Sequence, residues 1–315
     1  MTKMVVAITG TNGFIGSALS NALGASGYSI RRILRASDSN APGICDDINT
    51  SGDYWLTPLD DAMVVIHCAA LVHVMNGKAL ALTHEYRRAN FAATLSLARQ
   101  AAAHGVKRFI FLSSIKVNGE FTRKGTSFSA DDAPCPQDPY SVSKHQAEKA
   151  LLELASSSQM EVVIIRPPLV YGPGVRANFL SMKVWLSRSV PLPFGAIKNY
   201  RSIVSIDNLI SLIERCIYHP NAVNQVFLVS DGEDLSTTDL LCRMGNALGK
   251  PARLIPVPVF LLFFLARFFG YNSQAQRLCS SLQVDITKTR NLLGWAPAID
   301  VDEGLRRAAK DLRAK

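Results

Sequence analysis

Ile8-Thr9-Gly10-Thr11-Asn12-Gly13-Phe14-Ile15-Gly16, entered directly from Val5-Val6-Ala7, is the stretch that decides the fold. A short β-branched run reads as a strand, three glycines follow as a turn, and Phe14–Ala25 has the pattern of a helix. Glycine accepts backbone angles that a side chain forbids and lets the main chain come close to a pyrophosphate. The helix that follows offers free N–H groups and a partial positive charge at its start. Gly10, Asn12, Gly13, Phe14, Ile15 and Gly16 are therefore candidates for holding the phosphates of a dinucleotide. Their spacing, G-x-x-G-x-x-G, differs from the tighter G-x-G-x-x-G fingerprint.

Outward from this turn, β-branched runs alternate with longer helical patterns. Strands are expected at Met4–Thr9, Ser29–Leu34, Met63–Cys68, Arg108–Leu112 and Val162–Arg166. Helices are expected near Phe14–Ala25, Thr83–His104 and Tyr140–Ser156. Such alternation is the mark of βαβ units, so the class is α/β with a doubly wound parallel sheet. Pro167-Pro168 stops the fifth strand and turns the chain. Beyond about residue 170 the pattern loosens, with glycine and proline at Tyr171–Gly174 and Pro191–Gly195, and pieces of sheet returning at Ser202–Ser205 and Gln225–Val229. The organisation expected is a dinucleotide-binding domain over 1–170, its sheet completed by about 200–230. A smaller interleaved α/β substrate lobe would be built from 171–199 and 231–315.

The 315 residues, 48% hydrophobic and 19% charged, are enough for a sizeable core. Six scattered cysteines without a C-x-x-C pair fit reduced thiols in a cytoplasmic protein and imply neither a disulfide framework nor a metal site. The formal charge is +9, yet no basic run interleaved with aromatics marks a nucleic-acid surface. An anionic substrate and a dinucleotide would use some of that charge, and a solvated basic surface the rest. No secretory signal is expected ahead of the first strand. The apolar stretch Val259–Phe269 reaches roughly 16 Å as a helix, against about 30 Å for a bilayer core. It reads as a buried or partly exposed helix of the smaller lobe.

Cofactor choice turns on the end of the second strand, Ile33-Leu34-Arg35. A site for NAD normally carries a carboxylate here for the ribose hydroxyls. Leu34 stands in that place and Arg35 follows, a guanidinium able to pair with a 2′-phosphate, so NAD(P)H is expected with NADPH favoured. The same guanidinium could equally stack on adenine or face solvent.

Tyr140-Ser141-Val142-Ser143-Lys144 carries the chemistry. Residues four apart share a helix face, so a phenol and an ammonium converge. A tyrosine with its ordinary pKa near 10 relays protons poorly at neutral pH, and a nearby ammonium favours the phenolate. Y-x-x-x-K is common by chance on solvated helices. Here Phe111-Leu112-Ser113-Ser114 ends a strand upstream, where open α/β sheets bind ligands, and a hydroxyl there can bond the reacting oxygen. Glycine turn, strand-end serine and Tyr/Lys helix stand in the required order.

With these segments in place, the chain resembles the extended short-chain dehydrogenase/reductases, the nucleotide-sugar epimerases, dehydratases and reductases built on a Rossmann-type sheet. The likeness runs nearly end to end. It covers Thr9–Gly16, His67–Ala70, Asn90, Ser113–Gly119, Tyr140–Lys144, Arg166–Gly174, Arg201–Val204 and Leu293–Trp295. The resemblance implies Ser114, Tyr140 and Lys144 as the catalytic set. It also implies that Asp47 and Ile48 bracket the adenine, that Cys68, Ala69, Ala70 and Asn90 line the cofactor, and that Pro167 and Pro168 lie near the nicotinamide. Arg201 would hold a phosphate of a UDP-sugar, with Asn178 and Phe179 in the substrate segment. Arg277 would be either a second phosphate contact or an ordinary surface residue. A homodimer is common in the family.

The residues after Ser114 separate the reactions. The 4,6-dehydratases resemble one another in an Asp-Glu pair there. Ile115 and Lys116 cannot supply it, so dehydration is not expected. The wording of Ser113–Gly119 and Val229–Thr237 resembles a bacterial subgroup of 4-reductases that act on UDP-4-keto-6-deoxy-N-acetylglucosamine in O-antigen synthesis. Reduction of such a C4 ketone is the first expectation. A UDP-glucose or UDP-N-acetylglucosamine 4-epimerase is the alternative. A reductase of a hydrophobic ketone and a non-catalytic dinucleotide sensor stand behind them.

Overall fold

The computed structural model describes residues 3–34, 59–72, 79–175 and 177–313. Arg35, Asp47 and Ile48, expected at the cofactor, lie outside the described residues.

Strands β1 (Val5–Thr9), β2 (Ser29–Ile33), β3 (Ala62–His67), β4 (Arg108–Leu112), β5 (Glu161–Arg166) and β8 (Gln225–Leu228) form one parallel sheet. Its order among the described residues is β2-β1-β3-β4-β5-β8. Parallel strands covered on both faces must be apolar on both, which is why they appear in the sequence as unbroken runs. Alternate residues of each strand feed two separate cores. Ile8, Ile66, Ile110 and Val163 meet on one face, and Ala7, Val65, Phe109 and Val162 on the other. Helices α1 (Phe14–Ala25) and α6 (Ile206–Tyr218) pack on the first face; α3 (Ala93–Ala103) and α4 (Pro139–Ser156) cover the second.

The single helix expected over Thr83–His104 is built differently. α2 (Ala79–Tyr86) runs into one π turn, Arg87–Ala92, before α3 begins. A π turn changes the hydrogen-bond register without interrupting the spiral, so periodicity does not announce it.

The strand expected near Ser202 is β7 (Arg201–Ser205), but it does not join the large sheet. It pairs in parallel with β6 (Leu169–Tyr171) and antiparallel with β9 (Asp234–Leu235) in a small sheet of its own. A third core lies beside it, where Tyr171, Phe179, Leu186, Leu241 and Leu305 meet. This core is built from α5 (Ala177–Ser187), α7 (Thr237–Ala247) and α11 (Val301–Arg313). Helices α8 (Val259–Phe268), α9 (Asn272–Cys279) and α10 (Thr287–Leu293) complete the chain.

Val259–Phe269, expected as a buried or partly exposed helix, is α8: none of its residues is buried, and Val259, Leu262 and Ala266 are half-buried. No helix among the described residues is long and apolar enough to cross a membrane.

Candidate active site

The chain leaves β1 to one side for β2 and later returns on the other side for β3. A crevice therefore opens beyond the carboxyl ends of β1 and β3. The glycine turn fills one wall of it. Gly10 sits at φ +70°, and a Cβ there would lie 2.8 Å from the Ala69 nitrogen. A Cβ on Gly16 would lie 2.2 Å from the Gly10 carbonyl oxygen. Both glycines are needed so that the turn can rest on Cys68–Ala69 and α1 can start against the turn. Gly13 caps α1 without any side-chain bond, and Asn12 and Gly13 are exposed.

The Thr11 hydroxyl is buried, with no hydrogen-bond partner among the described residues. An unpaired buried hydroxyl is costly and wants a ligand oxygen. Cradle and orphan hydroxyl together fit a dinucleotide pyrophosphate. The side chains of Phe14 and Ile15 turn away into the third and first cores, so these two residues can offer only main-chain groups to it.

A buried polar chain holds the opposite wall. Ala69 N–H donates to Thr9 Oγ1 (3.1 Å), Thr9 Oγ1 lies 2.8 Å from His67 Nδ1, and His67 Nε2 lies 2.9 Å from Thr94 Oγ1. Thr94 donates its own proton to the Asn90 carbonyl (2.8 Å), so it must accept from Nε2–H, and Thr9 must donate to Nδ1. Asn90, expected to line the cofactor, is buried and engaged by protein through both amide atoms. Its Oδ1 accepts from Leu71 N–H (2.8 Å), while Nδ2 donates to Leu71 O (3.0 Å) and Ser143 Oγ (3.2 Å). It fastens the loop after β3 to α4 instead of presenting a free amide. The π turn supplies its placement.

Ser113 and Ser114, just past β4, serve two different groups. Ser113 Oγ donates to Glu148 Oε1 (2.5 Å), and Arg166 grips the same carboxylate through two bonds of 2.9 and 2.6 Å while donating to Asn118 Oδ1 (2.9 Å). Burial pushes the Glu148 carboxyl up, but His145, Arg166 and Ser113 outweigh it and hold it below the usual range. This buried knot locks α4 to the ends of β4 and β5. Ser114 caps the short turn Ile115–Val117, its hydroxyl accepting from Lys116 N–H at 3.3 Å, and acts on the Tyr140 phenol to lower its pKa.

Helix α4 starts where it does because Asp138 caps it, accepting from Ser141 N–H at 2.7 Å, and because Pro139 fits the first turn. Tyr140 thus stands in the first turn, half-buried, edge-on to Tyr86 with ring centroids 6.0 Å apart. Lys144 lies one turn on and is buried. Its Nζ donates to the Leu112 carbonyl (2.8 Å) and sits 4.4 Å over the Phe111 ring. The expected hydroxyl, phenol and ammonium therefore gather at the carboxyl end of β4.

Their acidities differ from expectation in one respect. Burial raises the Tyr140 pKa despite the lowering effect of the Ser114 hydroxyl, and Asp138 and Tyr86 raise it further. The phenol is held protonated rather than poised as phenolate. The ammonium meant to depress it is turned to a carbonyl and is itself pushed down to about 8 by burial, against the Glu148 carboxylate that favours it. Burial likewise pushes the Cys68 thiol up to about 12. Pro167 and Pro168 are buried just past β5, where the Pro167 carbonyl accepts from Ile115 N–H (3.0 Å) and so shapes the loop carrying Ser114.

Sequence reasoning missed Tyr86 and the pairing of Lys116. The Lys116 ammonium bonds Asp138 and lies 3.6 Å from Glu120. An acid two residues before a tyrosine, followed by proline, is a readable helix-start signal that would have found Asp138.

The substrate side needs larger corrections. Phe179 is fully buried, its ring stacked on Tyr171 at 5.5 Å, so it is a core residue and not a substrate contact. Asn178 lies in α5. The Arg201 guanidinium is half-withdrawn into protein, with Nη1 donating to the carbonyls of Arg277 (2.7 Å) and Ser280 (3.1 Å) at the end of α9. Burial lowers its pKa. Arg277 meets it only through this carbonyl; its side chain is exposed.

A turn that cradles phosphates, set beside a Ser/Tyr/Lys cluster on a parallel sheet, defines an extended short-chain dehydrogenase/reductase. Residues 6–229 match the NAD dependent epimerase/dehydratase family, and the chain belongs to it. It is 47% identical over 98% of its length to a UDP-glucose 4-epimerase of Vibrio cholerae, covering 95% of that protein. It is 25% identical to an N-acetyl-α-D-glucosaminyl-diphospho-ditrans,octacis-undecaprenol 4-epimerase of Escherichia coli O157:H7, covering 96% of this chain and 93% of that one. Among solved structures, the fold matches RMD of Pseudomonas aeruginosa complexed with NADPH, with a TM-score of 0.76, 20% identity, and 98% and 99% of the two chains covered.

Proposed function

We propose that the chain is a nucleotide-sugar 4-epimerase, inverting the C4 hydroxyl of a UDP-hexose such as UDP-glucose or UDP-N-acetylglucosamine. The geometric observation that carries it is the gathering of Ser114, Tyr140 and Lys144 at the carboxyl end of β4, with Tyr140 in the first turn of α4 and the Lys144 ammonium, one turn on, bonded to the Leu112 carbonyl. The choice of reaction is supported by the Vibrio relative, at 47% identity nearly end to end.

The residues divide the work as follows. Tyr140 takes the proton of the C4 hydroxyl as the hydride leaves C4; once the ketosugar has turned over and hydride returns to the other face of C4, Tyr140 gives the proton back to the oxygen. Ser114 donates to that oxygen while it is a ketone, so charge that builds there meets a preplaced donor. Lys144 holds the nicotinamide ribose and, with the oxidised ring nearby, brings the phenol down from its raised pKa. Gly10, Asn12, Gly13 and Gly16 would hold NAD(P), which would supply the acceptance and return of the hydride. The Arg201 N–H groups not given to α9 hold the diphosphate, together with the Arg277 side chain, so remote binding energy orients the ring.

A second reading, reduction of a UDP-4-keto-6-deoxy-N-acetylhexosamine by NADPH, is favoured by one observation. β2 ends at Ile33 and is followed by exposed Leu34, so no carboxylate is offered to the ribose there. That suits an exchanging NADPH better than a resident NAD.

Two assays separate the readings. Epimerisation predicts that UDP-glucose and UDP-galactose, or their N-acetylated forms, interconvert without added nicotinamide, followed by proton NMR. Reduction predicts stoichiometric NADPH loss with the 4-ketosugar and no interconversion. In either assay Tyr140→Phe should cut turnover by about 10²–10⁴-fold. Activity near the parent level would remove Tyr140 from the mechanism.

A further inference from the structure

Helix α8 exposes what soluble proteins bury. Phe260, Phe264 and Phe268 follow one another at one-turn spacing and are 76, 67 and 79% exposed. Leu261 and Leu265 stand beside them, and Phe269 and Tyr271 extend the surface past the helix end, all exposed. Only Val259, Leu262 and Ala266 turn partly inward, towards the side that meets the rest of the lobe. The segments that lead into α8 and pair beside it also expose Ile255, Val190 and Trp185. Main-chain bonds join the two segments: Leu192 N–H to Arg253 O (2.9 Å), Ile255 N–H to Leu192 O (2.8 Å) and Gly195 N–H to Ile255 O (3.0 Å). Contiguous exposed apolar surface of this kind marks an interaction site.

The charge around it says what the partner is. The two segments that build this side of the lobe, 162–206 and 240–284, contain no acidic residue. They carry six and five basic residues respectively, although the whole chain has 25 acids. Arg188, Lys198, Arg253 and Arg267 are exposed in them. A second copy docking symmetrically on this face would bring basic residues onto basic residues with no carboxylate from either segment to answer them. An anionic lipid surface answers both features, taking phenyl rings below its headgroups and arginines at them. A ten-residue helix is about 15 Å long, half a bilayer core, so it would lie in the surface plane.

We infer that α8, with the Val190 and Ile255 edge beside it, is an interfacial docking surface for a bilayer rich in anionic phospholipid. α9 follows α8 directly, and its end is tied to β7 by the Arg201 bonds. Docking therefore sets the substrate end of the cleft beside the headgroups. The inference does not depend on which sugar reaction the site performs.

The test is vesicle flotation of the full chain, with phosphatidylcholine vesicles either pure or containing phosphatidylglycerol. Expected is co-flotation with the anionic vesicles that is lost in high salt. A Phe260→Ser/Phe264→Ser/Phe268→Ser variant should lower the bound fraction at least about tenfold, with NADPH binding retained as proof of folding. Arg253→Glu/Arg267→Glu should weaken binding to anionic vesicles without altering the melting temperature. Three results would each overturn the inference. One is no flotation, or flotation indifferent to lipid charge. Another is a dimer in light scattering that the serine variant splits. The third is retention by single-stranded nucleic acid in place of vesicles.

Discussion

Lys144 answers two demands at once. Its stem is buried and its ammonium faces a ring and a carbonyl, a placement that favours the neutral amine and lowers its pKa to about 8. Below about pH 8 the folded chain therefore bears the full desolvation cost of a buried ammonium. That cost fades as the pH rises from about 8 towards the ordinary value of 10.5. Cofactor binding should show the opposite sign, because the charged amine is the form that holds the ribose. NADPH affinity, followed by fluorescence titration, is expected to weaken as the pH climbs through about 8. Lys144→Met should bind more weakly throughout and lose that dependence. A parent affinity level from pH 7 to about 9.5 would mean that the ammonium does not touch the cofactor. The phenol depends on the same arrangement. Tyr140 is held protonated by its surroundings, so the charge needed to activate it must come from the amine and the oxidised ring acting together.

At the scale of elements, the glycine turn and the strand ends it touches act as one piece. Gly16→Ala drives a Cβ to within 2.2 Å of the Gly10 carbonyl oxygen, which is main chain and cannot swing aside. The expected result is a loss of about 1–3 kcal/mol in stability and at least about tenfold in NADPH affinity. Gly24→Ala, in the same helix, is the control. Its Cβ would find only the Ile30 Cγ1 at 3.9 Å, so the chain should gain about 0.5–1 kcal/mol. Denaturant melts and titration of both variants check this, and parent-like cofactor binding by Gly16→Ala would take the cradle away from this turn. These elements were legible in the sequence for a physical reason. Strands buried on both faces leave runs such as Phe109-Ile110-Phe111-Leu112, and a Tyr/Lys pair at helical spacing leaves a fixed interval. The π turn was not legible, since a shift of hydrogen-bond register leaves the apolar pattern almost unchanged. Nor were β6 and β9, of three and two residues, long enough to show an alternation.

Across the whole molecule, what escaped the sequence was which apolar residues have partners. Phe179 and Phe264 look alike in a string of letters. The first is stacked on Tyr171 in the third core and the second stands in the open, and only packing tells them apart. The joint between the large sheet and that third core rests on a buried carboxylate, Asp231. It accepts from the Tyr171 hydroxyl (2.7 Å), Ser205 N–H (2.8 Å) and Asn208 Nδ2 (2.7 Å). Asn208 in turn donates to the Ile299 carbonyl (2.9 Å), and Tyr171 reaches the Val301 carbonyl (3.3 Å) where α11 begins. Burial raises the Asp231 pKa more than these bonds lower it. A carboxyl raised in the folded state stabilises most at acid pH, and its contribution is lost as the pH rises through the folded value. At neutral pH the joint therefore benefits from the acceptors and is penalised for the charge, and two substitutions separate these effects. Asp231→Ala leaves the Ser205 N–H and one Asn208 amide proton buried without a partner, and Tyr171 with only its longer bond to Val301, and should cost about 3 kcal/mol or more. Asp231→Asn keeps an oxygen for Ser205 and Asn208, and its amide can donate to a Tyr171 oxygen whose own proton goes to Val301. It removes the buried charge, so it should cost about 1 kcal/mol or less and flatten the pH dependence of the melting temperature. Melting of the three proteins between pH 5 and about pH 8 decides the matter. If the asparagine variant melts as low as the alanine variant, the negative charge itself, and not its acceptors, joins the two parts.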